Sequence, residues 1–215
     1  MKPIHILIVI LILGTSLRVF NITKIPAINA DEAALAYNAY SLLQTGKDEH
    51  GHSWPLVFES FGDYKPGIYV YLLLPFIHIL GLTISAVRLP GILLSTISIW
   101  LIYYITKQVL EFNSKTFETQ HKPLLKFTNQ AYTQIPLISA FLLSISPWHI
   151  HFSRGAWETQ TALTFLLFAI LGFIKSLENE KWTIVFILFS IISIYTYHSM
   201  RVITPLIIIS LIISF

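Results

Sequence analysis

The segment AVRLPGILLSTISIWLIYYITKQVL, residues 86–110, decides the class of fold. A helix of about 20 apolar residues crosses the hydrocarbon core of a bilayer, and this run is long enough. The whole chain has 215 residues, of which 54% are hydrophobic and 12% charged, and its mean hydropathy is +0.68. A soluble domain carries about 25% charged residues. The composition therefore predicts an all-α, multi-pass protein of the cell membrane.

Further apolar runs lie on both sides of this segment, at Pro3–Phe20, Pro66–Leu82, Ile135–Trp148, Thr161–Ile174, Trp182–Tyr197 and Val202–Phe215. We expect about six of the seven runs to span the membrane in a single domain, residues 1–215. Pro66–Leu82 is the exception, because it is short and Pro75 should break it. It reads as an interfacial or re-entrant helix of an external loop that covers about residues 21–85. The last run has fourteen residues and no polar flank, so we expect the chain to be the N-terminal part of a longer protein.

The distribution of charge predicts an orientation. Residues 107–130 contain four lysines, Lys107, Lys115, Lys122 and Lys126. Loops rich in Lys and Arg are retained in the cytoplasm. Residues 21–65 contain six acids and three lysines, which fits an external loop. With this topology the three polar clusters that end the apolar runs all lie on the external side.

Several classes of site are disfavoured. The net charge of +3 is small, and it gives no reason to propose nucleic acid as a partner. The chain has no cysteine, so disulfides and thiolate metal sites are impossible. His50 and His52, like His149 and His151, have an H-x-H spacing that two metal ligands could use, but neither pair has an evident third ligand. We predict no metal and no cofactor.

The first polar cluster is Asp31-Glu32, which opens a predicted helix. Asn29 fits the N-cap, Glu32 the partner position of a capping box, and Gly46 the position after the helix end. A carboxylate in the first turn is stabilised by the helix dipole, and at a membrane surface it could accept a proton from a hydroxyl. Asp31 is therefore a candidate general base, with plain capping as the alternative. Glu32 is a second catalytic candidate, although a capping role suits it better.

The same helix should be amphipathic. Ala36, Tyr37 and Tyr40 recur at helical spacing, and we expect the tyrosines to share the apolar face of a helix that lies in the membrane plane.

The second cluster contains Asp63, Tyr64 and Lys65. The ammonium group of Lys65 could hold a lipid-linked phosphate, or the side chain could simply extend to the headgroups. Asp63 could pair with Lys65 or shape the loop. Asp63 and Tyr64 are kept as further site candidates, together with His198 near the end of the chain.

The remaining candidates lie in later loops. Arg154 and Arg201 could bind a phosphate through two N–H groups each, or anchor the chain at the membrane interface. Glu158 begins a predicted span, where burial of an acid is costly and usually functional. Capping of that helix is the alternative for Glu158.

Several short stretches carry a resemblance to a known family. They are Asp31–Ala33 with Tyr37–Tyr40, Gly62–Pro66, Val87–Pro90, Ser146–His149 with Phe152–Arg154, and Tyr195–Ser199 with Arg201. Together they resemble the GT-C superfamily of membrane glycosyltransferases, in the branch of the protein O-mannosyltransferases and the lipid A aminoarabinose transferase.

The resemblance implies a function and roles for residues. Enzymes of this family transfer a sugar from a polyprenyl-phosphate carrier to a hydroxyl acceptor, with inversion, at the external membrane face. Their catalytic acid maps onto Asp31, the lysine of their K-P-P stretch onto Lys65, and their second-loop acid onto Glu158. In this chain Gly67 replaces the second proline of that stretch.

Two other functions remain open from the sequence. A transporter or flippase for a lipid-linked sugar could use the same cations, although its polar groups would typically lie near the bilayer midplane in an internal repeat. The chain could also be a non-catalytic membrane fragment.

Overall fold

The computed structural model describes residues 2–60, 62–119 and 129–214. The helices in these ranges are α1 (Pro3–Val19), α2 (Ala30–Thr45), α3 (Ile68–Leu80), α4 (Ile84–Thr119), α5 (Asn129–Ile145), α6 (Pro147–Ser153), α7 (Glu158–Ser176), α8 (Trp182–Thr196) and α9 (Met200–Ser214). Two short strands, β1 (Val57–Ser60) and β2 (Asp63–Pro66), lie between α2 and α3.

Two helices are long and apolar enough to cross a membrane. They are α7, with 19 residues, and the first 29 residues of α4. The helices α5 and α6 form a third candidate if they are one span with a bend of 58°. Four shorter apolar helices, α1, α3, α8 and α9, have 10–17 residues each. The prediction of a helical membrane protein is confirmed at this level, with two or three helices of spanning length in the described ranges.

The helix α3 is short, as expected, but Pro75 does not break it. Its 13 residues extend about 20 Å at 1.5 Å per residue, less than the hydrocarbon core of about 30 Å. Leu73 and Ile77, on either side of the proline, are both buried in the core. This packing holds the helix together where the sequence predicted an interruption.

The helix α4 continues beyond the predicted end of its apolar run. Leu110 was expected to end the span, yet the helix reaches Thr119. Lys107 forms an ion pair of 3.7 Å with Glu111, one turn further on, a pair that supports helical continuation. The cytoplasmic segment predicted from residue 107 is thus helical at its start, while Lys122 and Lys126 lie outside the described residues.

The helix α2 packs on the protein core through a face that does not include its two tyrosines. Leu35, Ala39 and Leu42 are buried against α3 and α4, whereas Tyr37 and Tyr40 are 53% and 38% exposed. The described residues leave both tyrosines uncovered, and the position of this helix in the membrane plane stays a prediction. The small alanine and leucine side chains allow the close packing, and the larger rings point away.

The β1–β2 hairpin was not predicted. The strands pair antiparallel with Phe58 opposite Lys65 and Glu59 opposite Tyr64. Strands of four residues leave little periodic signal in a sequence. Phe58 is 1% exposed and belongs to the core between α2 and α3, so the hairpin is attached to the helices through this ring.

Candidate functional site

The structure joins the first two polar clusters directly. The ammonium group of Lys65, at the end of β2, forms an ion pair with the Asp31 carboxylate in the first turn of α2. The Lys65 side chain is 15% exposed and that of Asp31 is 49% exposed. Lys65 is therefore held in the protein, while Asp31 remains open to an incoming molecule.

The predicted capping box of α2 is present, and it holds the first turn of the helix, in which Asp31 lies. The Asn29 side chain accepts the N–H of Glu32 at 2.8 Å, and Glu32 accepts the N–H of Asn29 at 3.3 Å. At the other end Gly46 has a φ of 70°, which suits glycine because it has no Cβ. Both ends of α2 are thus as the sequence predicted.

Glu32 has a second partner that sequence reasoning missed. Arg88 of α4 donates two hydrogen bonds of 2.7 Å to the two oxygens of Glu32, and both side chains are buried. Arg88 also donates to the carbonyls of Ile22 and Pro26. A charged residue inside an otherwise apolar run was the available signal. Because both oxygens are occupied, this geometry favours a structural role for Glu32 over a catalytic one.

The third polar cluster, residues 146–158 between the apolar runs that end at Trp148 and begin at Thr161, reaches the same place. The N–H of Ala156 donates to Glu32 at 3.1 Å, so the loop before α7 is attached to the start of α2. Glu158 follows two residues later, and its Oε1 is buried with no hydrogen-bond partner among the described residues. Trp157 rather than Glu158 occupies the N-cap position, which weakens the capping alternative.

Arg154 attaches the same loop to the segment after α1. Its Nη2 donates to the carbonyls of Phe20 and Ile25, the latter at 3.0 Å. Beside it lies an open cleft of about 380 Å³. The cleft is lined by Ile25, Pro26, Ile145, Pro147, Ile150, His151 and Arg154. Its walls are mostly apolar, with one permanent cation at the edge.

Two of the remaining candidates, His198 and Asp63, bond to Tyr64 of the hairpin. His198, in the loop between α8 and α9, donates from Nε2 to the Tyr64 carbonyl at 2.9 Å. Asp63 accepts the N–H of Tyr64 at 2.8 Å, so it shapes the loop while Lys65 pairs with Asp31. Arg201 is exposed in the first turn of α9.

Gly67 shows why this chain departs from the K-P-P pattern. Its N–H donates to the Leu56 carbonyl at 3.0 Å. A Cβ at this position would lie 2.6 Å from a ring carbon of Phe58 and 2.9 Å from the Leu56 oxygen. A proline here would lose the hydrogen bond and collide with the core ring, so glycine suits the local packing.

The histidine pairs are used in other ways. Asp48 accepts the N–H groups of His50 and His52 at 3.0 and 2.7 Å, and His149 is buried against Arg18. Within the described ranges no three His, Asp or Glu residues converge as a metal site would require.

Comparison with known proteins gives no relative: no protein-family profile, curated protein or solved structure matches this chain.

Proposed function

We propose that this chain is a membrane glycosyltransferase of the GT-C type, with about six transmembrane helices and its active face external. It would transfer a sugar from a polyprenyl-phosphate donor to a hydroxyl of a protein, lipid or glycan, with inversion. The observation that carries the proposal is the Asp31–Lys65 ion pair, together with the attachment of the loop before Glu158 to the start of α2 through Ala156 and Glu32. This reaction requires a base for the acceptor hydroxyl and a cation for the donor phosphate in the same site, and a half-exposed carboxylate beside a fixed ammonium group supplies both.

Asp31 is the proposed general base. It takes the proton of the acceptor hydroxyl as the oxygen forms a bond to the anomeric carbon. The bond from that carbon to the phosphate oxygen breaks, and its electron pair leaves with the lipid phosphate. Attack opposite the leaving group inverts the anomeric centre. The step uses no nucleophile triad and no hydride cofactor.

Lys65 is the proposed main contact of the donor phosphate. An ammonium group has three N–H donors, and the ion pair with Asp31 uses one of them. The others can stabilise the charge that develops on the departing phosphate. Arg154 and Arg201 are proposed to contribute further charge. The apolar cleft beside Arg154 suits the carrier chain next to its phosphate, and membrane lipids would surround the rest.

Glu158 is proposed as the second acid of the site. A buried carboxylate oxygen without a hydrogen-bond donor is costly, and a bound sugar hydroxyl would satisfy it. Glu158 would thus orient the sugar, whereas Asp31 accepts the proton of the acceptor hydroxyl.

The test compares cells with and without the gene by mass spectrometry of lipid-linked sugars and glycosylated products. We expect one lipid-linked sugar to accumulate, and one glycosylated product to disappear, when the gene is absent. Restoration by the wild-type gene but not by Asp31→Asn would support the enzyme. Transport of an intact lipid-linked sugar with no change in products would instead support the transporter.

A further inference from the structure

A buried arginine without an acidic partner lies against the bend between α5 and α6. Arg18, in α1, has no exposed surface, and it takes part in none of the ion pairs of the described residues. Its Nη1 donates to the carbonyls of Gly14 and Ser144 at 2.7 and 2.9 Å. Its Nη2 lies 3.4 Å from the Leu143 carbonyl and 2.6 Å from Nδ1 of His149.

These contacts explain how the bend is stabilised. Pro147 begins α6 and has no N–H to give to the Leu143 carbonyl four residues earlier. The Leu143 carbonyl accepts instead the Ser146 N–H, at a long 3.4 Å, and carbonyls at such a break inside a membrane protein need further donors. Arg18 supplies donors to both Leu143 and Ser144, so it serves as the C-terminal cap of α5 from a different helix.

The same contacts fix the protonation of His149. A guanidinium group has only donors, so Nδ1 of His149 must accept. The imidazole is therefore neutral and carries its proton on Nε2. Nε2 faces the side-chain amide of Gln160, with the amide nitrogen at 3.1 Å and the amide oxygen without a partner. Two donors cannot bond each other, so rotation of the amide that turns its oxygen toward Nε2 is required.

The hydrogen bonds then continue into two more helices. Gln160 lies in α7, two residues after Glu158, and its amide is 3.5 Å from the Ser98 hydroxyl of α4. Ser98 in turn lies 2.8 Å from the Thr164 hydroxyl. His149, Gln160, Ser98 and Thr164 are all buried. One chain of polar groups thus connects α1, α6, α7 and α4.

We propose that His149, held by Arg18 as the neutral Nε2–H tautomer, is a positioning residue of the site. It fixes the bend from which the chain runs into Arg154, Ala156 and Glu158, and thereby sets the position of Glu158 relative to α2, to which Ala156 is bonded. The role in transfer rests on the proposed function, whereas the tautomer and the fixed bend do not.

The first test measures the tautomer directly. Protein labelled with 15N-histidine is compared with the His149→Asn variant at pH 7, and the signal lost in the variant is that of His149. We expect an unprotonated Nδ1 and a protonated Nε2. An imidazolium or an Nδ1–H tautomer would overturn the proposal, and neither result depends on enzyme activity.

The second test measures the bend. The chain has no cysteine, so Ile138→Cys in α5 and His151→Cys in α6 can carry two spin labels on exposed positions. We expect a narrow distance distribution in the otherwise unchanged protein and in His149→Asn, which retains an acceptor toward Arg18. The distance distribution should broaden in His149→Leu, because leucine offers no hydrogen-bond acceptor to Arg18. An unchanged distribution in a folded His149→Leu protein would contradict the proposal. If that variant does not fold, the tautomer measurement decides.

The third test separates positioning from the proposed function. Displacement of a catalytic group by about 1 Å can cost a hundredfold in rate. We expect His149→Leu to lower kcat by about this factor with KM for the donor nearly unchanged, and His149→Asn to recover most of the loss. A broadened bend without any transferase activity in the wild-type protein would refute the function but leave the positioning intact. Equal kcat in all three proteins would refute the positioning role.

Discussion

Arg88 donates two hydrogen bonds of 2.7 Å to the two carboxylate oxygens of Glu32, across 56 residues of sequence. Both side chains are buried. Through Glu32 the pair also holds the N–H groups of Asn29 and Ala156. The start of α2, the helix α4 and the loop before α7 are therefore fixed to one another, and Asp31 lies at this junction.

Removal of Arg88 should strongly destabilise the protein. In Arg88→Met the Glu32 carboxylate stays buried without its cation, and such a loss costs about 3–5 kcal/mol. Lys107→Met is the control, because it breaks an ion pair whose lysine is 43% exposed and should cost below about 1 kcal/mol. The free energy of unfolding in detergent measures both. Equal losses would show that the buried pair is not what holds the three segments.

Asp31→Asn should separate catalysis from capping. The amide retains the shape of the side chain, and the capping box uses Asn29 and Glu32 rather than Asp31. We expect the transfer rate to fall about 10²–10⁴-fold through loss of the general base, with little change in unfolding temperature. A folded variant with a near wild-type rate would transfer the catalytic assignment to Glu158.

Lys65→Met should weaken binding of the lipid-phosphate donor more than binding of the acceptor. Hydrogen bonds to charged groups contribute roughly 1.5–3 kcal/mol, so donor affinity should fall about ten- to a hundredfold. Lys47→Met is the matched control, since Lys47 is exposed at the opposite end of α2. Donor titrations by fluorescence would measure both. The same donor affinity in the two variants would assign Lys65 to membrane anchoring.

The proposed topology can be tested with single cysteines. Ser199 and Asn179 are exposed, and they lie at opposite ends of α8. A membrane-impermeant thiol reagent applied to intact cells should label Ser199→Cys but not Asn179→Cys. After permeabilisation both should react. Labelling of Asn179→Cys alone would place the Asp31 site on the cytoplasmic side.

The loop after α2 should lose stability in acid. Burial by itself would raise the pKa of Asp48, but hydrogen bonds from His52 and from the His50 N–H outweigh it and lower the pKa below the usual 3.8. A lowered folded-state pKa adds stability above the unfolded value, and that stability is lost as the pH falls below about 4. Limited proteolysis against pH should show this loss in the wild type and not in Asp48→Asn. Identical acid profiles would exclude Asp48 as the cause.

Features encoded by neighbouring residues were predicted well. The length of the apolar runs indicated helices in a membrane, and the capping box and Gly46 defined both ends of α2. These signals are local, because a helix end is set by residues within one turn of it. The failures were also local: Pro75 did not end α3, and the strands of the hairpin were too short to leave a pattern.

The sequence by itself determined that this is a helical membrane protein with acids and cations at the ends of its apolar runs. The length and composition of an apolar run are local properties, so they do not depend on how the helices pack. Only the tertiary structure decided which of them meet. Lys65 reaches Asp31 across 34 residues, Arg18 reaches His149 across 131, and His198 reaches Tyr64 across 134. A buried charge or donor requires a partner, but the packing of the helices selects which one. That packing pairs Glu32 with the buried Arg88 and Asp31 with Lys65, and so gives two adjacent acids different roles.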